Sequence, residues 1–404
     1  MNVVIIGGGV SGQAAAKLCR KLNYDCRIVE DKTDKVLPPA DLIVTSPGVF
    51  PQRSGLYQQA LASGTEFIGE MEFAFRHFKN RILAITGTNG KTTTTELTTF
   101  LLNALDTPAV SAGNIGMPLA ELCLTPMTET AVVEVSNFQL ERAPTFSPFA
   151  AVLLNLASDH EDRYPGGFEE YCSVKRRIFD HVPPENRICG LSFDVPSRRV
   201  TASDGKLFID GSPVLDLAET RLAAPHNTEN LAAAAELLLR VLPPQKLTDG
   251  RFAEAVKSFR PGAHRIETVA DKDGILFVND SKATNPAAVL AAARAVDRPL
   301  VILLGGLDKG MDFSPLADLA PHIRTAVLYG QSAPKIAAVL QRKVPCIPCG
   351  NDFEKAFSTA ASAAQPGDCV LLSPACASMD MFKNYQERGD LFRNLAQAWT
   401  PLSK

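Results

Sequence analysis

The stretch Ile82-Leu-Ala-Ile-Thr-Gly-Thr-Asn-Gly-Lys-Thr92 decides how the chain is read. Residues 81–86 form a short apolar run of the kind that makes a buried parallel strand, and residues 87–90 turn the backbone sharply before a Thr-rich helix beginning at Lys91. Such a turn suits a phosphate group. The N–H groups of Gly87, Thr88, Asn89 and Gly90, and of the first helical turn with Thr92 and Thr93, point toward a bound anion. The helix dipole adds partial positive charge, Lys91 supplies a full one, and the Thr92 hydroxyl can hold Mg2+. The stretch is therefore expected to be an ATP phosphate site, the competing reading being a plain strand-to-helix turn with lysine as a helix former. Its spacing differs from the common G-x-x-x-x-G-K-[ST] loop, because only Thr88 and Asn89 separate the two glycines.

A length of 404 residues implies two or three domains, since one core rarely grows past about 250 to 300 residues. Lys and Arg number 41 against 44 acidic residues, a net charge of -3, so no basic field exists to hold nucleic acid or an anionic membrane. The first residues lack a basic leader and run straight into a strand, and no apolar run approaches membrane-spanning length, so a cytoplasmic protein is expected. Nine cysteines scattered through the chain do not form a disulfide framework. Cys346-Ile-Pro-Cys349 has redox or zinc spacing but no second pair or histidine at ligand spacing.

Toward the N-terminus, residues 2–6 read as a strand, and Gly7-Gly-Gly-Val-Ser-Gly12 matches G-x-G-x-x-G before a helix over about 13–22. Glu30 follows a second strand at 25–29. In the dinucleotide fingerprint the glycines admit a pyrophosphate and the acid meets a ribose. The pattern alone does not distinguish NAD, FAD and a UDP-sugar. A strand at 41–46 ends in Ser46-Pro-Gly48, which could wall a base pocket. The link over 31–40 is at the lower limit for joining parallel neighbours, so it is expected to hold no full helix and the domain looks abbreviated. A helix at 55–63, a strand at 66–68 and a helix at 70–77 complete it.

Beyond the phosphate loop, Ser111-Ala-Gly-Asn-Ile-Gly116 reads as a second glycine-bearing loop, with Asn114 able to face either substrate. Residues 130–134 form an apolar strand ending in Glu134. In open parallel sheets that edge faces the ligand crevice, so Glu134 is either an Mg2+ ligand or a helix-capping acid. A strand over 150–156 delivers Asp159 and His160 to the same expected edge, which favours metal or substrate contact for the histidine. Residues 168–181 read as a helix carrying Lys175, a solvated position on pattern alone. Asp204-Gly205 signals a hairpin within 198–210. Asn227 and Asn230 share one face of the first turn of a helix running to about 241, suiting an adenine or ribose, or simple helix capping.

After residue 262 a βα alternation restarts, with strands at 275–279, 300–304, 326–329 and 369–372 and a helix at 286–296, the pattern of a second open parallel sheet. Three polar loops follow strand ends: Asp280-Ser-Lys-Ala-Thr-Asn285, Gly305-Gly-Leu-Asp-Lys-Gly-Met-Asp312 and the stretch from Ser373 to Tyr385. Lys282, Thr284, Lys309 and Ser378 could grip a dicarboxylic amino acid through charges and hydroxyls.

In this order, over nearly the whole chain, these motifs resemble those of the Mur ligase family. The phosphate loop, Ala112-Gly-Asn-Ile-Gly116, Glu134 with Ser136-Asn-Phe-Gln-Leu-Glu141, Asp159-His160 with Asp162-Arg-Tyr-Pro165, Asn279-Asp-Ser-Lys-Ala-Thr-Asn285 and Leu372-Ser-Pro-Ala-Cys-Ala-Ser378 carry the resemblance. The last two single out the branch that joins D-glutamate to UDP-N-acetylmuramoyl-L-alanine with ATP. The resemblance implies that Lys91 and Thr92 meet the ATP phosphates, and that Glu134, His160 and a CO2-derived carbamate on Lys175 serve two Mg2+ sites. Asn227, Asn230, Arg265 and Asp280 would hold adenosine. Gly9, Ser11, Gly12, Asp31, Lys32, Ser46, Asn114 and His160 fall where the family holds the UDP-sugar; Lys282, Thr284, Lys309, Ser378 and Tyr385 fall where it holds D-glutamate. Lys91, His160 and Lys175 would be catalytic. The sequence departs from the family in its shortened first domain, in Asp31-Lys32 where members often carry Thr-Arg, and in the acid of Leu307-Asp-Lys309.

The resemblance further implies an α/β protein, expected as a monomer, of three open, mainly parallel sheets with flanking helices. These are a Rossmann-like UDP-sugar domain (1–70), a P-loop ATPase-like domain (71–261) and a Rossmann-like amino-acid domain (262–404). An NAD-dependent dehydrogenase would account for residues 7–12 and nothing after residue 80. A ligase-like subunit that binds ATP without making an amide would not need Lys91, Glu134, His160 and Lys175 together.

Overall fold

The computed structural model describes residues 1–125, 129–160, 162–195 and 198–400; of the quoted motifs, only Glu161 within 157–165 lies outside them. By internal contacts the chain divides into two units. One holds residues 1–156 and 163–260, the other residues 157–162 and 261–404. Among the described residues the strands form four sheets.

The first unit opens with β1 (Asn2–Ile6), α1 (Val10–Lys21), β2 (Asp25–Val29), β3 (Leu42–Thr45), α2 (Gly55–Ala62), β4 (Glu66–Gly69) and α3 (Glu70–Phe75). Its sheet is parallel throughout, in the order β2-β1-β3-β4. β2 and β3 are therefore not neighbours but flank β1. That link holds no helix. Side chains alternate along β1, so Val3 and Ile5 pack against α1 while Val4 and Ile6 meet Leu56 and Ala60 of α2.

The second sheet is built from β5 (Ile82–Thr86), α4 (Lys91–Ala104), β6 (Ala109–Gly113), α5 (Leu119–Leu122), β7 (Thr130–Glu134), α6 (Asn137–Leu140), β8 (Ala150–Leu153), α7 (Gly167–Arg176) and β9 (Arg187–Cys189). Its order is β6-β7-β5-β8-β9, again all parallel. The expected loop at 111–116 begins as strand β6. The central strand β5 is buried at every position, as its unbroken apolar run requires. Leu83 and Ile85 face a core with α4 and α8 (Pro225–Leu238); Ile82 and Ala84 face the core that also takes in α1, β1 and α3. The first two sheets thus share one apolar interior. A small antiparallel sheet, β10 (Val200–Ser203), β11 (Lys206–Ile209) and β12 (Ser212–Asp216), packs on α8, and α9 (Gln245–Thr248) and α10 (Arg251–Ser258) close the unit.

The second unit contains β13 (Glu267–Lys272), β14 (Ile275–Asn279), α11 (Pro286–Arg294), β15 (Leu300–Gly305), β16 (Ile323–Tyr329), α12 (Ala333–Leu340), β17 (Cys346–Pro348), α13 (Phe353–Ala363), β18 (Cys369–Leu372) and α14 (Tyr385–Ala398). The six strands run β13-β14-β18-β15-β16-β17, parallel except for the antiparallel edge strand β13. Separate cores lie on its two faces, and the polar loops of β14, β15 and β18 leave from one sheet edge. Cys346 and Cys349 are both free thiols.

Candidate active site

The phosphate loop is held from three directions. Asn155, just past β8, accepts from the Asn89 amide at 2.9 Å through its side chain and from the Thr88 amide at 3.0 Å through its carbonyl. Tyr171 on α7 bonds the Thr88 hydroxyl at 2.9 Å. Asn230 on α8 lies directly over Gly90, which has a φ of 83°. A Cβ there would sit 2.1 Å from the Asn230 amide oxygen, so this position accepts only glycine. The Thr94 hydroxyl reaches the same oxygen, and the Asn230 amide nitrogen donates to Asn227 at 3.3 Å. The asparagine pair expected at a nucleoside thus also braces the phosphate loop. α4 starts at Lys91, and the N–H groups of Thr92 and Thr93 belong to a first turn that has no acceptor within its own helix.

Two lysines converge on this loop. Lys91 Nζ donates to the carbonyls of Gly87 and Thr88, both at 2.8 Å, and Lys175 Nζ donates to Gly87 at 3.0 Å. Lys175 is 1% exposed and stands 4.8 Å from the Tyr171 ring centre. It is buried because it lies four residues beyond Tyr171, on the covered face of α7, and not on a solvated one.

Glu134 ends β7 with its side chain buried. Oε1 accepts from the Asn114 amide at 2.7 Å, while Oε2 has no hydrogen-bond partner among the described residues. A buried, half-satisfied carboxylate fits a hard cation. Among the described residues no three His, Cys, Asp or Glu side chains form a ready metal cluster. Mg2+ commonly needs only one or two carboxylates beside substrate phosphates.

At the first sheet, the Gly7 to Gly12 turn leads into α1. Gly12 has no room for a side chain, since a Cβ would lie 1.9 Å from the Gly7 carbonyl oxygen, whereas one on Gly9 would meet nothing within 4 Å. Ser46 donates to the Gly7 carbonyl at 2.9 Å and Ser11 is half-buried beside the turn. Glu30 accepts the Gly8 amide at 3.0 Å, so the acid that a dinucleotide reading gives to a ribose is bonded to its own loop. Asp31 accepts from the Leu56 amide at 3.0 Å, at the start of α2. Burial pushes the Asp31 carboxyl up, but hydrogen bonds from Ser54, Leu56 and Gly55 outweigh it and hold the group below its usual value. Lys32 is exposed.

In the second unit, Asp280 is buried and accepts from the Ser373 hydroxyl at 2.9 Å; burial pushes its carboxyl up to about 7. Lys282 Nζ lies 4.1 Å from the Tyr385 ring centre, and Thr284 is half-buried on the same loop. Lys309 Nζ pairs with the buried Asp159 at 2.6 Å. The Asp159 side chain also accepts the His160 amide, and the His160 ring lies 3.7 Å away. His160 thus falls with the second unit, and Arg265 does too. The Ser378 hydroxyl is buried without a hydrogen-bond partner among the described residues.

Two family patterns match the chain: the Mur ligase middle domain over residues 85–207, and the Mur ligase glutamate ligase domain over residues 264–376. The UDP-N-acetylmuramoylalanine–D-glutamate ligase of Salinibacter ruber is 36% identical over 98% of this chain and 97% of its own length. The enzyme of the same name from Aquifex aeolicus is 33% identical over 99% of both. The chain belongs to the Mur ligase family.

Solved Mur ligases share its fold. The UDP-N-acetylmuramate–alanine ligase of Thermotoga maritima superposes with a TM-score of 0.62 at 15% identity, over 98% of this chain and 99% of that one. The MurF ligase of the same organism, solved with ADP, gives 0.61 at 17% identity, over 98% and 95%. No helix of this Mur ligase, among the described residues, is long and apolar enough to cross a membrane. Its sequence reading passed over Asn155, Tyr171, Arg163 and Glu141 as site residues. Asn155 lay inside the strand expected over 150–156, which in fact ends at Leu153; the other three are set by contacts distant in sequence.

Proposed function

We propose that the chain is an ATP-dependent ligase that adds D-glutamate to UDP-N-acetylmuramoyl-L-alanine in the synthesis of peptidoglycan precursors. The end-to-end similarity to ligases of that name carries this reading. We assign the UDP-sugar to residues 1–70, ATP to 71–261 and D-glutamate to 262–404, with the first and last domains Rossmann-like and the middle one P-loop-like. The reaction takes place in the cytoplasm, and the working enzyme is a monomer.

A carboxylate is a poor acyl donor. In this account the γ-phosphoryl group of ATP passes to the L-alanine carboxylate, giving an acyl phosphate and ADP. The amine of D-glutamate attacks the acyl carbon, phosphate leaves, and the amine loses its proton as the amide forms. Gly87, Gly90, Thr92 and Thr93 cradle the triphosphate, Thr88 and Asn89 shape the loop with their amides bonded to Asn155 and not turned to the anion, and Lys91 neutralises charge on the moving phosphoryl group. Asn227, Asn230, Arg265 and Asp280 hold adenosine. Gly9, Ser11, Gly12, Asp31, Lys32, Ser46 and Asn114 orient the UDP-sugar. Lys282, Thr284, Lys309, Ser378 and Tyr385 receive D-glutamate, the buried Ser378 hydroxyl, without a hydrogen-bond partner among the described residues, being the most direct support. Two Mg2+ ions would be held by Thr92, Glu134, His160 and a carbamate on Lys175, and when bound they supply charge neutralisation for the phosphates. The family's chemistry also requires water to be kept from the acyl phosphate.

The deciding experiment is phosphate release from ATP with UDP-N-acetylmuramoyl-L-alanine and each candidate amino acid. Turnover with D-glutamate alone among them supports the reading; equal turnover with L-lysine or meso-diaminopimelate moves the chain to a sister ligase.

A further inference from the structure

Arg163 stands where the chain re-enters the first unit, and each of its three guanidinium nitrogens makes a hydrogen bond. Nε and Nη2 bind the two carboxylate oxygens of Glu141 at 2.7 and 2.6 Å, a bidentate pair, and Nη1 donates to the Val49 carbonyl at 3.1 Å. One side of the group lies 4.2 Å from the Phe138 ring centre, and Phe50 is 5.4 Å away. Its own carbonyl accepts from the Gln52 side chain at 2.8 Å. The residue is 4% exposed.

Both ends of this arrangement lead to loops already described. Val49 receives Arg163 through its carbonyl and packs its side chain against Gly7, where an added Cβ would lie 2.9 Å from Val49 Cγ2; three residues earlier, Ser46 bonds the Gly7 carbonyl. On the other side, Glu141 accepts from the Tyr164 hydroxyl at 2.7 Å. Burial, and then the Glu141 charge, push the Tyr164 phenol up, so it stays a donor. The Tyr164 ring packs edge-on against Tyr171, centre to centre 5.8 Å, and Tyr171 bonds Thr88 in the phosphate loop.

We propose that Arg163 is a positioning residue for the UDP-sugar: clamped by Glu141, it fixes residues 46–50 against the glycine turn and registers that turn to the phosphate loop. The assignment rests on the proposed UDP-sugar site at residues 7–12. A loop held in its binding conformation has no ordering cost to meet when the substrate arrives, so releasing residues 46–50 weakens affinity for the UDP-sugar while the chemistry at the phosphate loop is left as it was. Lysine cannot substitute, since a point ammonium cannot bind both carboxylate oxygens in a planar fork and the Val49 carbonyl at once.

The test compares the wild-type enzyme with Arg163→Lys, Gln52→Ala and Arg142→Lys. Arg142 is a matched control: it also bridges the first two sheets, bonding the Tyr57 hydroxyl at 3.0 Å, but among the described residues its side chain makes no hydrogen bond to residues 46–50. In Arg163→Lys, amide hydrogen exchange at residues 46–50 should quicken. The KM for UDP-N-acetylmuramoyl-L-alanine should rise about tenfold, with kcat and the KM for ATP within about twofold. Gln52→Ala, a surface change that cannot threaten folding, should move both readouts the same way by a smaller factor, and Arg142→Lys should lower the melting temperature without moving either. Unchanged exchange in both Arg163→Lys and Gln52→Ala, quickened exchange with an unmoved KM, or an equal KM shift in Arg142→Lys would each overturn the proposal. A wild-type enzyme that turns over no UDP-muramoyl substrate would instead sink the functional reading, while the exchange comparison would still decide whether Arg163 holds the loop.

Discussion

Lys91 and Lys175 share one acceptor, the carbonyl oxygen of Gly87, at 2.8 and 3.0 Å. Two ammonium groups at one oxygen repel each other, and a positive Lys175 would also repel a cation at Glu134. A neutral Lys175 amine can instead add CO2, lose a proton and become an anionic oxygen ligand, which reverses the local charge. We therefore expect Lys175→Ala to lose activity by about a hundredfold or more and to be partly rescued by a short carboxylic acid in the buffer. Lys175→Arg, which keeps the positive charge, should be inactive; full activity in that variant would exclude the carbamate.

Phosphate release should require the UDP-muramoyl substrate and D-glutamate together. Lys91→Ala should reduce it by about a hundred- to a thousandfold while leaving the far-UV circular dichroism spectrum unchanged, because Lys91 is half-buried at the first position of α4 and belongs to none of the apolar cores. A steady-state phosphate assay checks both statements.

Glycine positions in the first turn should separate folding from binding. A bulky residue at Gly9 projects into open space, so it should raise the KM for the UDP-sugar while the melting temperature and the KM for ATP stay put. Gly12→Ala drives a methyl group into the Gly7 carbonyl and should lower the melting temperature as well. Loss of ATP affinity in the Gly9 variant would contradict the assignment of this turn.

Glu134→Gln removes the buried anion but keeps the shape. The Mg2+ concentration giving half-maximal activity should rise at least about tenfold, read from a magnesium titration at saturating ATP. An unchanged titration would remove Glu134 from the metal site.

Glu70 gives the first unit a pH dependence. Burial pushes its carboxyl from 4.5 up to about 7, offset in part by the Ala120 amide at 2.9 Å. The folded state therefore holds the proton more tightly than the unfolded chain does. That stability is fully present below about pH 4.5 and is lost as pH rises through about 7, by roughly 3 kcal/mol. Glu70→Gln should lack this slope, so urea unfolding midpoints of variant and wild type should diverge between pH 5 and pH 8. Parallel curves would show that Glu70 ionises freely in the fold.

Much of this was legible because the deciding signals are local. The strands at 82–86 and 130–134 are continuous apolar runs that pair in parallel, and their polar ends lie at the edge where the candidate site is placed. What was missed lies at sheet edges or in long-range contacts. β12 and β13 carry mostly exposed or half-buried residues, so no apolar run announces them. Yet both are joined by Asp-Gly turns, Asp210-Gly211 and Asp273-Gly274, in which each residue has positive φ, the same signal that was read at Asp204-Gly205. The burial of Lys175 follows from which face of α7 is covered, and the roles of Arg163 and Glu141 from partners 22 and 114 residues apart.

The interior shared by the first two sheets bears on how this enzyme can be cut or recombined. Val3, Ile5, Leu18 and Phe73 belong to the same apolar cluster as Ile82, Leu119, Val133 and Ala151. A fragment ending near residue 75 would expose half of that cluster to water and should aggregate instead of behaving as a portable module. By the same reasoning, swapping the first sheet for that of a relative should succeed only when α5 and the facing side chains of β5 and β7 travel with it, because the inheritable piece here is a pair of sheets.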